Sequence, residues 1–241
     1  MNKQISVLVV VCSLLIIFTN CGNSKNDSFQ PQDPITSSTN DSLRLKDSLK
    51  PESNNSIKLE LLNNEKLPNS LKIQGNVLDY KVWKDRNGIN YAVITLTDIV
   101  QNDKSEYTNT IFGYHFVQKP DKTYQLKRKI QDFFTCEWED CKEGLSLHKD
   151  SFTITDLDTN GYGEIAFIYQ FYCSMDLSWA NAKLMLLENG EKYPIRGNTF
   201  VEDYGEIEGN GLKIIGKEFD SASKEFKEYA SKLWDKFCRI K

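Results

Sequence analysis

Histidine is nearly absent: the 241-residue chain holds two, His115 and His148. Neither sits in a recognisable nucleophile setting, and there is no Gly-x-Ser-x-Gly elbow, which argues against Ser–His hydrolysis. A Gly-rich phosphate loop is also missing, which argues against nucleotide chemistry. No Cys-x-x-Cys pair exists, so a zinc site made from cysteines and His148 fits poorly to the spacing zinc uses. The chain carries no basic block, and 30 Lys+Arg against 34 Asp+Glu leave a net charge of −4. Neither nucleic acid nor an anionic membrane face is therefore an expected partner. After the first 20 residues no apolar run approaches the length of a membrane span. His115, inside Phe112-Gly113-Tyr114-His115-Phe116, reads as an ordinary strand residue.

What is present begins with an address. Lys3 precedes an apolar run from Ile5 to Phe18, then Thr19-Asn20-Cys21-Gly22. One cation, a short apolar stretch and a brief approach to a cysteine is the layout of a cleaved export signal over residues 1–20. The alternative is a plain secretory signal or an uncleaved anchor. The segment resembles the lipoprotein signals of the Bacteroidota. That resemblance implies cleavage before Cys21, a diacylglycerol thioether on Cys21 and an acylated amine, hence a lipid-anchored protein of the cell envelope, on the outer membrane. Which face of that membrane it occupies is left open. Only Lys3 among the charged residues goes with the signal, taking the net charge from −4 to −5.

Residues 21–56 are rich in Ser, Asn, Asp and Lys, hold three prolines and show no apolar periodicity. Such a stretch buries too little to order itself and reads as a tether, with a root-mean-square reach of about 30 Å. The expected globular domain is 57–241. With Cys12 removed and Cys21 lipidated, Cys136, Cys141, Cys173 and Cys238 remain. Four cysteines in an oxidising compartment point to two disulfides with three possible connectivities.

The domain reads as mainly β, a β-rich α+β fold of antiparallel sheet with blade-like hairpin units and a C-terminal amphipathic helix. Strands are expected over 71–77, 91–96, 110–118, 124–130, 152–154, 164–172, 183–187 and 192–196. Lys119-Pro120-Asp121-Lys122 and Glu188-Asn189-Gly190-Glu191 supply turns, the first through proline and the second through Asn-Gly. Phe219, Ala222, Phe226, Tyr229, Leu233, Phe237 and Ile240 recur at helical spacing, with Asp220 or Ser221 to cap the start. The polar face of that helix mixes signs, which favours packing on the sheet over membrane binding. Asp85–Ile94 and Asp158–Phe167 are similar, each an Asn-Gly turn feeding an apolar strand, as in two copies of one antiparallel unit.

The segment richest in chemistry is Asp156-Leu157-Asp158-Thr159-Asn160-Gly161-Tyr162-Gly163-Glu164. Oxygen side chains at alternate positions converge when the backbone wraps tightly, and calcium takes six to eight such ligands. Phe167 stands where an EF-hand needs its bidentate acid, and the flanks read as strands. Strand, Asp-x-Asp-x-Asn-Gly-x-x-Glu, strand resembles the calcium loop of FG-GAP and VCBS repeats. That resemblance implies Asp156, Asp158, Asn160 and Glu164 as side-chain ligands, Tyr162 as a backbone ligand, and calcium as a structural cofactor. The same side chains also suit a metal-free turn, where they satisfy backbone donors. The second copy keeps Asp85, Asn87 and Gly88, but Trp83 and Tyr91 stand at its outer ligand positions and bring no carboxylate.

The stretch from Cys136 to Gly197, through Cys173-Ser174-Met175-Asp176 and Lys192-Tyr193-Pro194-Ile195-Arg196-Gly197, resembles a small family of Bacteroidota envelope proteins linked by name to surface polysaccharide biosynthesis. Two functions follow as expectations. One is a non-enzymatic binding or accessory module for an envelope glycan or protein. The other is an enzyme or accessory factor of polysaccharide processing that uses Glu137, Glu139 or Asp140, with Trp138 for stacking. The 13 Phe, 11 Tyr and 4 Trp either fill the core or present a sheet face to a partner.

Overall fold

Period-two alternation dominates the chain from residue 76 onward, and two antiparallel sheets result. The computed structural model describes residues 58–137, 144–173, 179–202 and 210–240, all within one compact unit, Ser53–Lys241. The expected signal, the lipidated Cys21, the tether to residue 56 and the Trp138–Cys141 stretch lie outside the described residues.

The first sheet holds β1 (Glu60–Leu61), β2 (Asn76–Asp85), β3 (Gly88–Leu96), β4 (Val100–Gln101), β5 (Tyr107–Gln118) and β6 (Tyr124–Cys136). Its centre is the meander β2-β3-β5-β6, with β1 added to β2 and β4 to the free end of β5. The second sheet repeats the plan with β7 (Leu145–Thr155), β8 (Glu164–Phe171), β9 (Asn181–Glu188) and β10 (Glu191–Asn198). Two four-stranded blade-like units are thus present, and the two Asn-Gly turns join strands one and two of each. Short β11 (Phe200–Val201) precedes β12 (Lys213–Ile215), which extends the second sheet beside β10. A 3-10 turn, Lys217–Asp220, leads to helix α1 (Lys224–Phe237), and β13 (Arg239–Ile240) pairs with β11 in parallel.

Both expected hairpin turns form. Lys122 takes φ 65° and donates its N–H to the Lys119 carbonyl at 2.9 Å. Asn189 and Gly190 take φ 43° and 93°, the paired positive angles that match the twist of a two-residue hairpin.

Three apolar layers follow from the alternation. Trp83, Ile94, Ile111, Phe152, Ile165, Phe167 and Leu187 fill the space between the sheets. The other face of the second sheet, with Ile168, Leu184 and Leu186, packs on Phe226, Ala230, Leu233 and Trp234 of α1. The helix therefore covers the sheet, as its mixed-charge outer face suggests. The other face of the first sheet presents Tyr91, Val93, Phe112, Tyr114 and Phe116 to the segment carrying Leu62, Leu67 and Leu71. Most of the aromatic side chains are spent in these layers. No helix among the described residues is long and apolar enough to cross a membrane.

Two local expectations are corrected. Residues 71–75 are not a strand: Gly75 turns at φ 80° directly against the Leu96 backbone, and Leu71 packs beneath the first sheet instead. The helix does not start after Asp220 or Ser221, because Phe219 is drawn into the helix–sheet layer by the 3-10 turn. Its N-cap is Ser223, whose hydroxyl bonds Glu225 rather than the backbone.

The cysteines divide differently from a two-disulfide scheme. Cys136 at the end of β6 is bonded to Cys173 just after β8, with Cα atoms 5.9 Å apart. Cys238 is a free thiol buried in the helix–sheet layer. Burial, with Asp235 nearby, pushes its pKa up to about 12, which leaves it an inert apolar side chain at neutral pH. Cys141 lies outside the described residues.

Candidate metal centre

The strand ends of the second sheet build this site. Thr155 closes β7 and pairs with Glu164, which opens β8, so the loop 156–163 must return over its own strand ends. Thr159 at φ 58° and Gly161 at φ 81° make the two sharp bends. The Gly161 N–H donates to Asp156 Oδ1 at 3.3 Å, the Asn160 N–H to Asp158 Oδ1 at 3.2 Å, and the Tyr162 N–H to Asn160 Oδ1 at 2.8 Å. Each acidic or amide side chain thereby turns inward.

Asp156, Asp158 and Glu164 converge, with one carboxylate oxygen from each lying within 4.8 Å of the others. Glu164 is fully buried. Its Oε2 accepts the Thr155 hydroxyl at 3.0 Å and the Leu157 N–H at 2.9 Å, whereas Oε1 is buried with no hydrogen-bond partner. Burial raises its pKa to about 8 against the opposing effect of those two hydrogen bonds. A buried carboxylate oxygen without a donor is costly. These three carboxylates are placed so that they could hold a metal ion.

Sequence reasoning missed Glu188. It ends β9 directly opposite Glu164 in the antiparallel register, on the same face of the sheet. The Asn160 amide nitrogen joins it to the loop, 2.5 Å from Glu188 Oε1 and 3.0 Å from Asp158 Oδ2. Its pKa is raised by burial and by Asp158 and Asp156, against the Asn160 hydrogen bond. None of the four acids is ion-paired with a Lys or Arg among the described residues. In the sequence Glu188 is only the first position of an Asn-Gly turn, and its proximity to the loop depends on strand register.

The second Asp-Asn-Gly turn has another role. Asp85, 3% exposed, accepts Trp83 Nε1–H and the Gly163 N–H on Oδ2, and the Asn87 N–H and Asn90 Nδ2–H on Oδ1. Its oxygens are fully engaged, so it braces the acidic loop and leaves nothing for a cation. The Arg86 N–H donates to the Gly161 carbonyl at 2.9 Å, its guanidinium to the Asn160 carbonyl at 3.1 Å, and its side chain lies over the Tyr162 ring. A Cβ on Gly163 would sit 2.3 Å from Trp83 Nε1; only glycine lets the loop approach the indole so closely.

The other sequence candidates divide between described and undescribed residues. Glu137 is exposed at the end of β6, and Glu139 and Asp140 lie outside the described residues. His148 meets Gln170 at 3.0 Å and Phe237, and among the described residues it joins no cluster of metal-ligating side chains. His115 is buried, stacked on Trp83 and bonded to Asn90 at 2.9 Å, a strand residue of the core.

Comparison with protein-family models, curated proteins and solved structures gives no significant match.

Proposed function

We propose that this chain is a lipid-anchored envelope protein, a non-enzymatic binding or accessory module whose β domain is braced by a structural calcium ion. Asp156, Asp158, Asn160 and Glu164 supply side-chain oxygens and Tyr162 a carbonyl. The observation that carries the calcium reading is the buried Glu164 Oε1, which lacks a donor beside two further carboxylates. An all-oxygen, carboxylate-rich ligand set suits a hard cation of flexible coordination. Its effect is mechanical: the ion ties the β7–β8 loop to the strand ends, and Asp85 carries that constraint to the first sheet.

Calorimetric calcium titration of the full-length chain, with matched melting curves, tests this. Saturable binding and a raised melting temperature, both lost in Asp158→Asn, are expected. An identical melting curve with and without calcium removes the metal reading. The lipid anchor is checked separately, by metabolic labelling of the producing cells with a fatty acid: label is expected on the wild type and none on Cys21→Ser.

A further inference from the structure

Apart from the acidic loop, the inner face of β10 departs most from what its position requires. Facing strands of a two-sheet stack bury apolar side chains. On β9 that rule holds at Leu187 and Met185, which join the inter-sheet core, and then gives way to Lys183. On β10 the same face carries Lys192, Pro194 and Arg196, alternating with Tyr193 and Ile195 on the helix side. The register places Arg196 directly opposite Lys183, and like charges so placed repel.

The first sheet ends at β6, and a pocket of about 250 Å³ opens between β6 and these strands. Its lining includes Asp132, Tyr169, Lys183, Lys192 and Arg196. Asp132, the acid among these, is already engaged: it is ion-paired with Lys183 and accepts the Tyr169 hydroxyl at 3.0 Å on the same oxygen. Lys129, also at the rim, donates to Gln74 Oε1 and lies over the Phe112 and Tyr114 rings on the far side of the sheet. The side chains of Lys192 and Arg196 have no hydrogen-bond or ion-pair partner among the described residues. Two unpartnered cations and a third held in place by Asp132 thus line one small concavity.

We propose that this pocket binds an oxyanion, the carboxylate, sulfate or phosphate group of an acidic ligand, with Arg196 and Lys192 as direct contacts and Lys183 as supporting charge. The guanidinium of Arg196 suits such a group because its fork of donors matches two oxygens at once. The ligand neutralises the Lys183–Arg196 opposition that the strand register imposes. This gives a chemical class to the binding role proposed above, and it rests on β6, β9 and β10 without the cation loop.

The test is titration of the full-length chain with inorganic phosphate, followed by calorimetry at constant ionic strength made up with sodium chloride. Saturable binding of one phosphate is expected, weakened about tenfold or more in Arg196→Gln, since the charge-assisted hydrogen bonds of the guanidinium are lost. Glu191→Gln, exposed on the opposite face of β10, should leave the affinity unchanged. No saturable binding overturns the proposal, as does an affinity that follows net charge alone, weakening in Arg196→Gln and strengthening in Glu191→Gln. A uronate-bearing oligosaccharide then distinguishes the source: tighter binding than phosphate assigns the pocket to an acidic glycan, equal binding to a free anion. Failed calcium binding with intact phosphate binding would remove the cation loop and leave this pocket standing.

Discussion

The Gly163 N–H donates to Asp85 Oδ2 at 2.9 Å, joining residues 78 positions apart. The bond links the loop of one blade-like unit to the equivalent turn of the other. The two turns that look alike in sequence are therefore partners in space with different tasks. One gathers carboxylates, and the other spends its single carboxylate holding the first in place.

Removing that acid leaves buried donors on Trp83, Asn90 and Gly163, and a half-buried one on Asn87, without an acceptor. Each such group costs about 1–3 kcal/mol when orphaned, so Asp85→Ala should lose about 3 kcal/mol or more in urea unfolding. Asp85→Asn keeps one acceptor oxygen and should fall between. A loss under about 1 kcal/mol in Asp85→Ala would show that the brace does not matter to stability.

Glu188 yields a prediction with two opposite signs. In the metal-free protein, Glu188→Gln removes a charge held beside Asp158 and Asp156 and should raise the melting temperature at neutral pH, because like charges held together repel. With calcium, the same change lowers the carboxylate count around the ion and should weaken binding about tenfold or more. Paired melting curves in chelator and in calcium read both effects at once. Unchanged calcium affinity would place Glu188 outside the ion's reach.

His115 sets an acid limit. Burial, partly offset by the Asp85 carboxylate, lowers its pKa from 6.5 to about 4. On acidification the unfolded chain takes up this proton near pH 6.5, whereas the folded chain resists until about pH 4. Between those values the unfolded state binds more protons, so stability falls as the pH drops, by up to about 3 kcal/mol. His115→Gln should flatten that part of the stability profile relative to the wild type. Equal slopes in urea midpoints measured at pH 7, 5.5 and 4.5 would exclude a buried neutral imidazole.

What was legible in the sequence is what is local. Lys119–Lys122 and Asn189-Gly190 announce their turns because proline and glycine set backbone angles within four residues. The C-terminal helix shows itself through repeat spacing alone. Asp156, Asp158 and Glu164 could be read together because one loop supplies all three. Glu188 could not, since only the β8–β9 register brings it opposite Glu164. The same limit hid the Lys183–Arg196 opposition and the fate of Cys238. An odd thiol buried under a helix and a disulfide partner have the same letter. Residues 71–75 misled for the opposite reason: their alternation is that of a strand, but Gly75 turns the chain before any partner is reached.

The Cys136–Cys173 bond closes a covalent ring that contains β7, the whole acidic loop and β8. A protease that nicks the chain anywhere between these cysteines produces no free fragment. Everything before the cut stays fastened to everything after it, through sulfur as well as through the sheet. For a chain whose N-terminus is its only proposed attachment, this separates damage from loss: a nick in the loop region can spoil the site, yet the C-terminal part is released only when the bond is also reduced.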